Sequence, residues 1–273
     1  MESRKNTYAV YFSLVFVLCL SVFLFSVTSP FWGAESSGLD HAILGSNLMR
    51  LLDRHVSVIE IGLVNAVWRL LVYGSLGFWG LHLSFKIGFK GILNDGIKRP
   101  RSIITTVLAG IAMGMFFIGY EIILISQTSL HILKSSFTII PSSIFTSIAE
   151  GIGCQILNMF SVVFLMWLFS LVVKSQNGRA KVFRLVAVLC ALIFAARHIE
   201  STLIWSAGSQ QNIFRMSAND YLQIIALYAP LSLVCTYFLR KYGLLSAITI
   251  HFICDIMWRI GWAWIQWGDR IFR

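Results

Sequence analysis

The stretch Gly243–Trp258, which reads GLLSAITIHFICDIMW, determines how the rest of the chain is interpreted. It is apolar enough to lie in a membrane, yet it carries His251 and Asp255 four residues apart. That spacing places both side chains on one face of a helix. Ionisable groups inside a bilayer are costly, so this pair needs polar partners or a water-filled cavity. We therefore expect the helix to face other polar residues within a bundle.

The composition of the whole chain is typical of a membrane protein. Of its 273 residues, 57% are hydrophobic and only 12% are charged, whereas about a quarter of the residues of a soluble domain are charged. We predict an all-α fold, a polytopic membrane bundle of about seven transmembrane helices with short interfacial helices. The chain forms one membrane domain, in which residues 1–100 supply about two N-terminal spans and residues 101–273 the core bundle.

The net charge of +10 has two possible explanations. In a soluble protein it would suggest binding to nucleic acid. Here Lys and Arg cluster between apolar segments, at the N-terminus and in residues 86–101, 174–184 and 240–241. The positive-inside rule explains such clusters as cytoplasmic connections. We therefore expect a lipid bilayer and no nucleic acid as partner, with the C-terminus outside.

The apolar segments divide the chain into seven predicted spans. They cover residues 8–27, 57–83, 102–126, 147–173, 183–199, 221–239 and 243–266. A stretch of about 20 apolar residues is long enough to cross a bilayer. The first span has no A-x-A-like exit, so we expect it to be a retained signal anchor. A short interfacial helix is predicted within residues 31–55 from the helical spacing of Leu44, Leu48, Leu51 and Leu52.

Two further ionisable residues fall in the same half of the membrane under this topology. Glu150 lies near the outer start of the fourth span, and His198 lies near the outer end of the fifth. His251 is about 12 Å from the inner end of the seventh span, at a rise of 1.5 Å per residue. Asp255 follows one turn further outward. We predict that these four residues meet in one site in the outer half of the membrane.

The residue types of the predicted site suit hydrolysis of an amide bond. A carboxylate beside an imidazole can bind and deprotonate a water molecule. A second imidazole, one turn from a hydrogen-bonding residue, can hold the oxyanion of a tetrahedral intermediate. Neither step needs a Ser or Cys nucleophile. We do not favour a thiol mechanism through Cys154 or Cys254, because apolar surroundings lower the reactivity of a thiol.

Three motifs on separate predicted spans carry a resemblance to a known family. Phe194–His198 (FAARH) fits the pattern FxxxH, and His251–Asp255 (HFICD) fits HxxxD. The segment EGIGCQ keeps the leading Glu150 of EExxxR, but it has Gly151 and Gln155 where the second Glu and the Arg are usual. In this order the motifs resemble those of the CAAX-protease and bacteriocin-processing family of glutamic intramembrane proteases.

The resemblance implies an enzyme that cleaves a peptide bond near the membrane-anchored or sorting tail of a protein substrate. It assigns Glu150 and His198 to activation of water, and His251 and Asp255 to stabilisation of the oxyanion. It implies no cofactor and no metal. We expect an integral protein of a bacterial cytoplasmic membrane, with the site toward the extracytoplasmic side.

Other interpretations of the same residues stay open. The absent second Glu and Arg would suit a non-enzymatic member of the fold that serves as an immunity or binding protein. Intramembrane acids and histidines would also suit a proton-conducting transporter or channel, although no inverted repeat is visible. Zinc ligation by Glu150, His198 and His251, haem ligation by the two histidines, and purely structural roles are further alternatives. A structural role is the first interpretation of Arg69, which we expect to pair with an acid such as Glu121.

Overall fold

The described part of the chain consists entirely of helices and their short connections. The computed structural model describes residues 2–28, 58–89, 100–124, 140–207 and 218–271, and these contain seven α-helices and no strand. The helices are α1 (Glu2–Thr28), α2 (Val58–Ile87), α3 (Pro100–Leu124), α4 (Ile140–Ser170), α5 (Gln176–Ala207), α6 (Ala218–Tyr242) and α7 (Leu244–Ile271). The all-α prediction is confirmed for this part of the chain. The predicted interfacial helix within residues 31–55 lies outside the described residues.

Five of these helices are long and apolar enough to cross a membrane. The apolar stretches are Asn6–Val27 in α1, Pro100–Tyr120 in α3, Ile144–Ser170 in α4, Tyr221–Tyr242 in α6 and Leu244–Gly261 in α7. With 30 and 32 residues, α2 and α5 are as long, but α2 contains Arg69 and α5 contains Arg184 and Arg197. The described residues therefore have the character of an integral membrane protein.

Helix α4 is the central element of the bundle. It packs against α1, α2, α5, α6 and α7, and α7 packs in addition against α3 and α6. Fully buried side chains such as Ile156, Leu231 and Ile250 fill the space between these helices. Lipid tails are as apolar as Leu side chains, so close packing has to hold such helices together in a bilayer. A polar residue on α4 can consequently meet side chains from several other helices.

Glycines allow α7 to lie close to two of its neighbours. A Cβ atom at Gly114 of α3 would be 2.5 Å from Cβ of Met257, which is closer than such atoms can approach. A Cβ atom at Gly151 of α4 would be 3.4 Å from the backbone nitrogen of Phe252. Small residues let helix backbones approach in this way. They hold α7, with its pair of predicted site residues, against both α3 and α4.

Helix α5 differs from its predicted limits at both ends. It begins at Gln176, within the basic segment that was predicted as a connection, and not at residue 183. It ends at Ala207, so His198 lies inside the helix and not at its end, and its position near the outer end of a membrane span stays a prediction. Hydropathy decreases where charged residues begin, whereas the backbone hydrogen bonds of a helix continue regardless of side-chain polarity. This is why an apolar stretch gives too short a helix.

A single residue separates α6 from α7. Gly243 has a φ of 95°, in the left-handed region that a residue without Cβ enters without steric strain. Its amide donates a hydrogen bond of 3.0 Å to the carbonyl oxygen of Leu239, which terminates α6. The two helices pack against each other as a hairpin. A tight connection was predicted at Arg240 and Lys241; the connection is tight, but these two residues belong to the last turn of α6 and Gly243 alone joins the helices.

Arg69 of α2 lies in a cluster with two tyrosines. Its guanidinium donates a hydrogen bond to the hydroxyl of Tyr73, one turn along the helix. Tyr11 of α1 donates its hydroxyl to the backbone carbonyl of Tyr73. Arg69 is only 9% exposed, so these contacts link α1 to α2 around a buried charge. The side chain of Glu121 lies outside the described residues, and its pairing with Arg69 stays a prediction.

Candidate functional site

The four predicted site residues are brought together by three helices. Glu150 belongs to α4 and His198 to α5, whereas His251 and Asp255 both belong to α7. The two histidines and the aspartate all lie within electrostatic reach of the Glu150 carboxylate. These four residues therefore form a polar cluster inside the otherwise apolar bundle. The catalytic roles assigned to them stay a prediction.

Glu150 makes an ion pair that sequence reasoning did not identify. Nη2 of Arg259, on α7, donates a hydrogen bond of 3.0 Å to Oε2 of Glu150. The side chain of Arg259 is 10% exposed and that of Glu150 is 36% exposed. The pair thus lies where the cluster opens to its surroundings. Arg259 follows Asp255 by four residues and so lies on the same helix face as His251 and Asp255. This spacing could have identified Arg259 from the sequence alone.

His251 has a polar group opposite each ring nitrogen. Its exposed fraction is 2%. The side-chain nitrogen of Gln155 on α4 lies 2.8 Å from Nδ1, and Oδ2 of Asp255 lies 3.6 Å from Nε2. Polar groups buried in an apolar interior are stable only when they have such partners. The Gln155 contact orients the imidazole at Nδ1, whereas the Asp255 oxygen faces Nε2 from beyond hydrogen-bond distance.

The side-chain amide of Gln155 is itself held by α4 and α6. Nδ2 of Asn158 donates hydrogen bonds to Oε1 of Gln155 at 3.4 Å and to Oγ1 of Thr236 at 3.1 Å. Gln155 and Thr236 have no exposed surface, and Asn158 is 4% exposed. A continuous series of polar contacts therefore runs from α6 through α4 to the imidazole on α7.

His198 is held by its own helix and by aromatic rings. Its Nδ1 lies 2.8 Å from the backbone carbonyl oxygen of Phe194, one turn earlier on α5. Its ring stacks on Tyr228 of α6, with 3.9 Å between the ring centroids. The ring of Phe194 lies 4.5 Å from the ring of His198 and 5.8 Å from that of His251. The Phe of the FxxxH pattern thus contacts both histidines and positions one against the other.

The two departures from the EExxxR pattern have structural explanations. Gly151 faces the backbone of α7, where a Cβ atom would already touch Phe252, so the position suits a small residue. Gln155 supplies a neutral hydrogen-bond donor to His251 from the position where Arg is usual. The positive charge next to Glu150 comes instead from Arg259. An ion pair with Glu150 is therefore made by a residue from a different helix.

The cysteines and the metal-ligating residue types add no separate centre to this cluster. Cys154 and Cys254, next to motif residues, are free thiols, and Cys254 is fully buried. Among the described residues, no group of three or more His, Cys, Asp and Glu side chains could hold a metal ion. The alternative set of zinc ligands proposed from the sequence thus does not form such a group in the described part of the chain.

Comparison of the chain with models of protein families, with curated proteins and with solved structures finds no match.

The chemical capacity of the cluster follows from its own side chains. A partly exposed carboxylate beside imidazole groups can bind a water molecule and accept its proton. A buried imidazole supported by a carboxylate can donate a hydrogen bond to a negatively charged oxygen. Proton transfer and stabilisation of an anion are therefore available in one place.

Proposed function

We propose that this chain is an intramembrane endopeptidase of the glutamic type, related to the CAAX-protease and bacteriocin-processing family. The observation that carries the proposal is the convergence of Glu150, His198, His251 and Asp255 from three helices on one polar cluster. Ionisable residues inside a membrane bundle are costly and mark functional sites by default. The motif order that carries the resemblance supplies the reaction class.

In the proposed reaction, Glu150 and His198 bind and activate the attacking water. The Glu150 carboxylate is the more exposed partner of its ion pair, and we place the entry of water and of the peptide on this side. A proton of the water passes to this pair as the water oxygen attacks the carbonyl carbon of the scissile bond. Removal of that proton makes the water a stronger nucleophile, which is why the reaction needs no Ser or Cys.

His251 and Asp255 stabilise the oxyanion that this attack creates. An imidazole N–H donates a hydrogen bond to the former carbonyl oxygen as it becomes negatively charged. The donor is 2% exposed, and a hydrogen bond to a charge is stronger in such a water-excluded position than in water. Collapse of the tetrahedral intermediate breaks the C–N bond, and the leaving amine takes the proton held by Glu150 and His198.

The proposal includes the arrangement of the chain in the membrane. We place α2 and α5 across the bilayer with the five clear spans, which gives seven spans with short interfacial helices. The clusters of Lys and Arg support a cytoplasmic location for residues 86–101, 174–184 and 240–241. The site then faces the extracytoplasmic side of a bacterial cytoplasmic membrane. Its substrate is a membrane-anchored protein or peptide cleaved near its C-terminal tail.

A non-enzymatic immunity or binding protein of the same fold is the second candidate. The ion pair between Arg259 and Glu150 favours it, because the guanidinium occupies one oxygen of the carboxylate that would bind the water. Under this alternative the polar cluster holds α4 and α7 together, and a neutral replacement of Glu150 preserves function as long as the helices still pack.

Co-expression with candidate membrane-tailed proteins tests the proposal. The wild type is compared with Glu150→Gln, and the fragments are identified by intact mass. Glu60→Gln is the matched control, because the same change is made at an exposed residue of α2 outside the cluster. We expect cleavage by the wild type and by Glu60→Gln but not by Glu150→Gln. Cleavage that persists in Glu150→Gln would contradict the proposed role of this carboxylate.

A further inference from the structure

We infer that Gln155, supported by Asn158 and Thr236, fixes the tautomer of His251 and makes this imidazole a hydrogen-bond donor toward the site. The use of that donor rests on the proposed function, whereas the tautomer is a property of the resting protein. Gln155 and Asn158 are then positioning residues, which act on the reaction through His251 and do not contact the substrate.

The contact with Gln155 determines which ring nitrogen of His251 carries the proton. A side-chain amide nitrogen donates hydrogen bonds and does not accept them. Since the nitrogen of Gln155 lies 2.8 Å from Nδ1, Nδ1 accepts and carries no proton. The single proton of the neutral ring is therefore on Nε2. Nε2 faces Oδ2 of Asp255 at 3.6 Å, and a carboxylate oxygen is an acceptor, so both neighbours favour the same tautomer.

The Gln155 amide is oriented by Asn158. Its oxygen accepts a hydrogen bond from Nδ2 of Asn158, and that same nitrogen donates to Thr236. Rotation of the Gln155 amide alone would place two NH₂ groups against each other. All three side chains are buried, so no solvent would compensate for the lost hydrogen bond. The NH₂ group of Asn158 therefore keeps the amide nitrogen of Gln155 directed at His251, and the Thr236 hydroxyl accepts a second hydrogen bond from that NH₂ group.

The two histidines differ in which ring nitrogen carries the proton. Nδ1 of His198 lies 2.8 Å from the carbonyl oxygen of Phe194, which can only accept, so in His198 the proton is on Nδ1. The lone pair of neutral His198 is then on Nε2. The neighbours thus hold the two rings in opposite tautomers. Nε2 of His198 can then accept a proton, as its proposed role as a base requires. Nε2 of His251 can donate a hydrogen bond, as its proposed role at the oxyanion requires.

Nitrogen-15 NMR of the histidine-labelled protein in lipid nanodiscs tests this inference without a substrate. The shifts of the ring nitrogens distinguish the two tautomers, and His198→Gln and His251→Gln assign the signals by their loss. We expect protonated Nε2 in His251 and protonated Nδ1 in His198. A His251 signal with the proton on Nδ1 in the wild type would overturn the inference, because the whole series of contacts would then run in the reverse direction.

Two variants test whether Gln155 is the cause. The ionised carboxylate of Gln155→Glu presents only acceptor oxygens, so at a pH where it is ionised it should move the His251 proton to Nδ1, while Gln155→Met should give a mixture of tautomers. Gln223→Glu makes the same chemical change on α6 outside the cluster and should leave the signal unchanged. An unchanged His251 tautomer in Gln155→Glu would refute the assigned cause. If the tautomers are as expected but the wild type cleaves nothing, the inference holds and the proposed function fails.

Discussion

Arg259 of α7 lies 3.0 Å from Glu150 of α4 and joins these two helices at the exposed edge of the polar cluster. The contact links the α7 face that carries His251 and Asp255 to the first residue of the degenerate motif. Because one partner is half-buried and the other nearly buried, the pair is less screened than a surface ion pair. It can therefore hold the carboxylate in position and also stabilise the packing of the two helices.

The ion pair should be measurable as a coupling between its two residues. We expect Arg259→Gln and Glu150→Gln each to lower the free energy of unfolding, and the double variant to lose less than the sum. A coupling of about 1 kcal/mol is expected for a partly exposed pair. Denaturant unfolding in detergent micelles measures it. Lys241→Gln combined with Glu150→Gln is the control, and full additivity for Arg259 would show that the contact contributes nothing.

The close approach of α4 and α7 should make position 151 sensitive to side-chain size. Gly151→Leu should lower the free energy of unfolding by about 1–3 kcal/mol through overpacking, whereas Gly151→Ala should change it little. Gly119→Leu is the matched control, because nothing lies within 4 Å of a Cβ atom there. Thermal unfolding in micelles compares the three. Equal losses at positions 119 and 151 would contradict the packing described here.

The support of His251 by Gln155 should affect catalysis more than binding. In Gln155→Glu the oxyanion would meet an imidazole without a proton at Nε2. Since loss of one oxyanion donor costs about 100-fold to 1,000-fold in kcat, we expect a decrease in that range with little change in KM. Gln223→Glu should cleave as the wild type does. A change confined to KM would indicate that Gln155 contributes to substrate binding instead.

The predicted orientation in the membrane can be read by chemical labelling. In a background without the five native cysteines, Glu60→Cys lies near the proposed outer end of α2 and Lys241→Cys near the proposed inner end of α6. Both positions are exposed in the structure. We expect an impermeant maleimide to label Glu60→Cys in intact cells and Lys241→Cys only after permeabilisation. The reverse pattern would invert the topology and place the site on the cytoplasmic side.

The helices were predictable because each apolar stretch is long, and basic residues bound several of them. Arg240 and Lys241 between two apolar stretches indicated the connection, and the positive φ of Gly243 is the physical reason for the turn. The limits of α5 were not predictable from hydropathy, since Arg179 and Arg184 are charged yet lie within the helix. Backbone hydrogen bonding, which hydropathy does not report, determines where such a helix begins.

The site was predictable only in part. The spacing of His251 and Asp255 placed them on one helix face, and that inference required no knowledge of the other helices. The hydrogen bond of Gln155 to His251 and the ion pair of Arg259 with Glu150 join different helices. Periodicity within one helix shows which residues share a face but not which other helix that face meets. Contacts of this kind therefore require the packed structure.

Hydrolysis of a membrane-tailed substrate in ¹⁸O-labelled water tests whether Glu150 activates the attacking water. The purified protein in lipid nanodiscs is compared with Glu150→Gln and Glu60→Gln, and both fragments are weighed by mass spectrometry. We expect one ¹⁸O atom in the new carboxyl group, none in the amine fragment, and loss of cleavage in Glu150→Gln alone. Unchanged cleavage by Glu150→Gln would contradict it, because the attacking water would then be activated without this carboxylate.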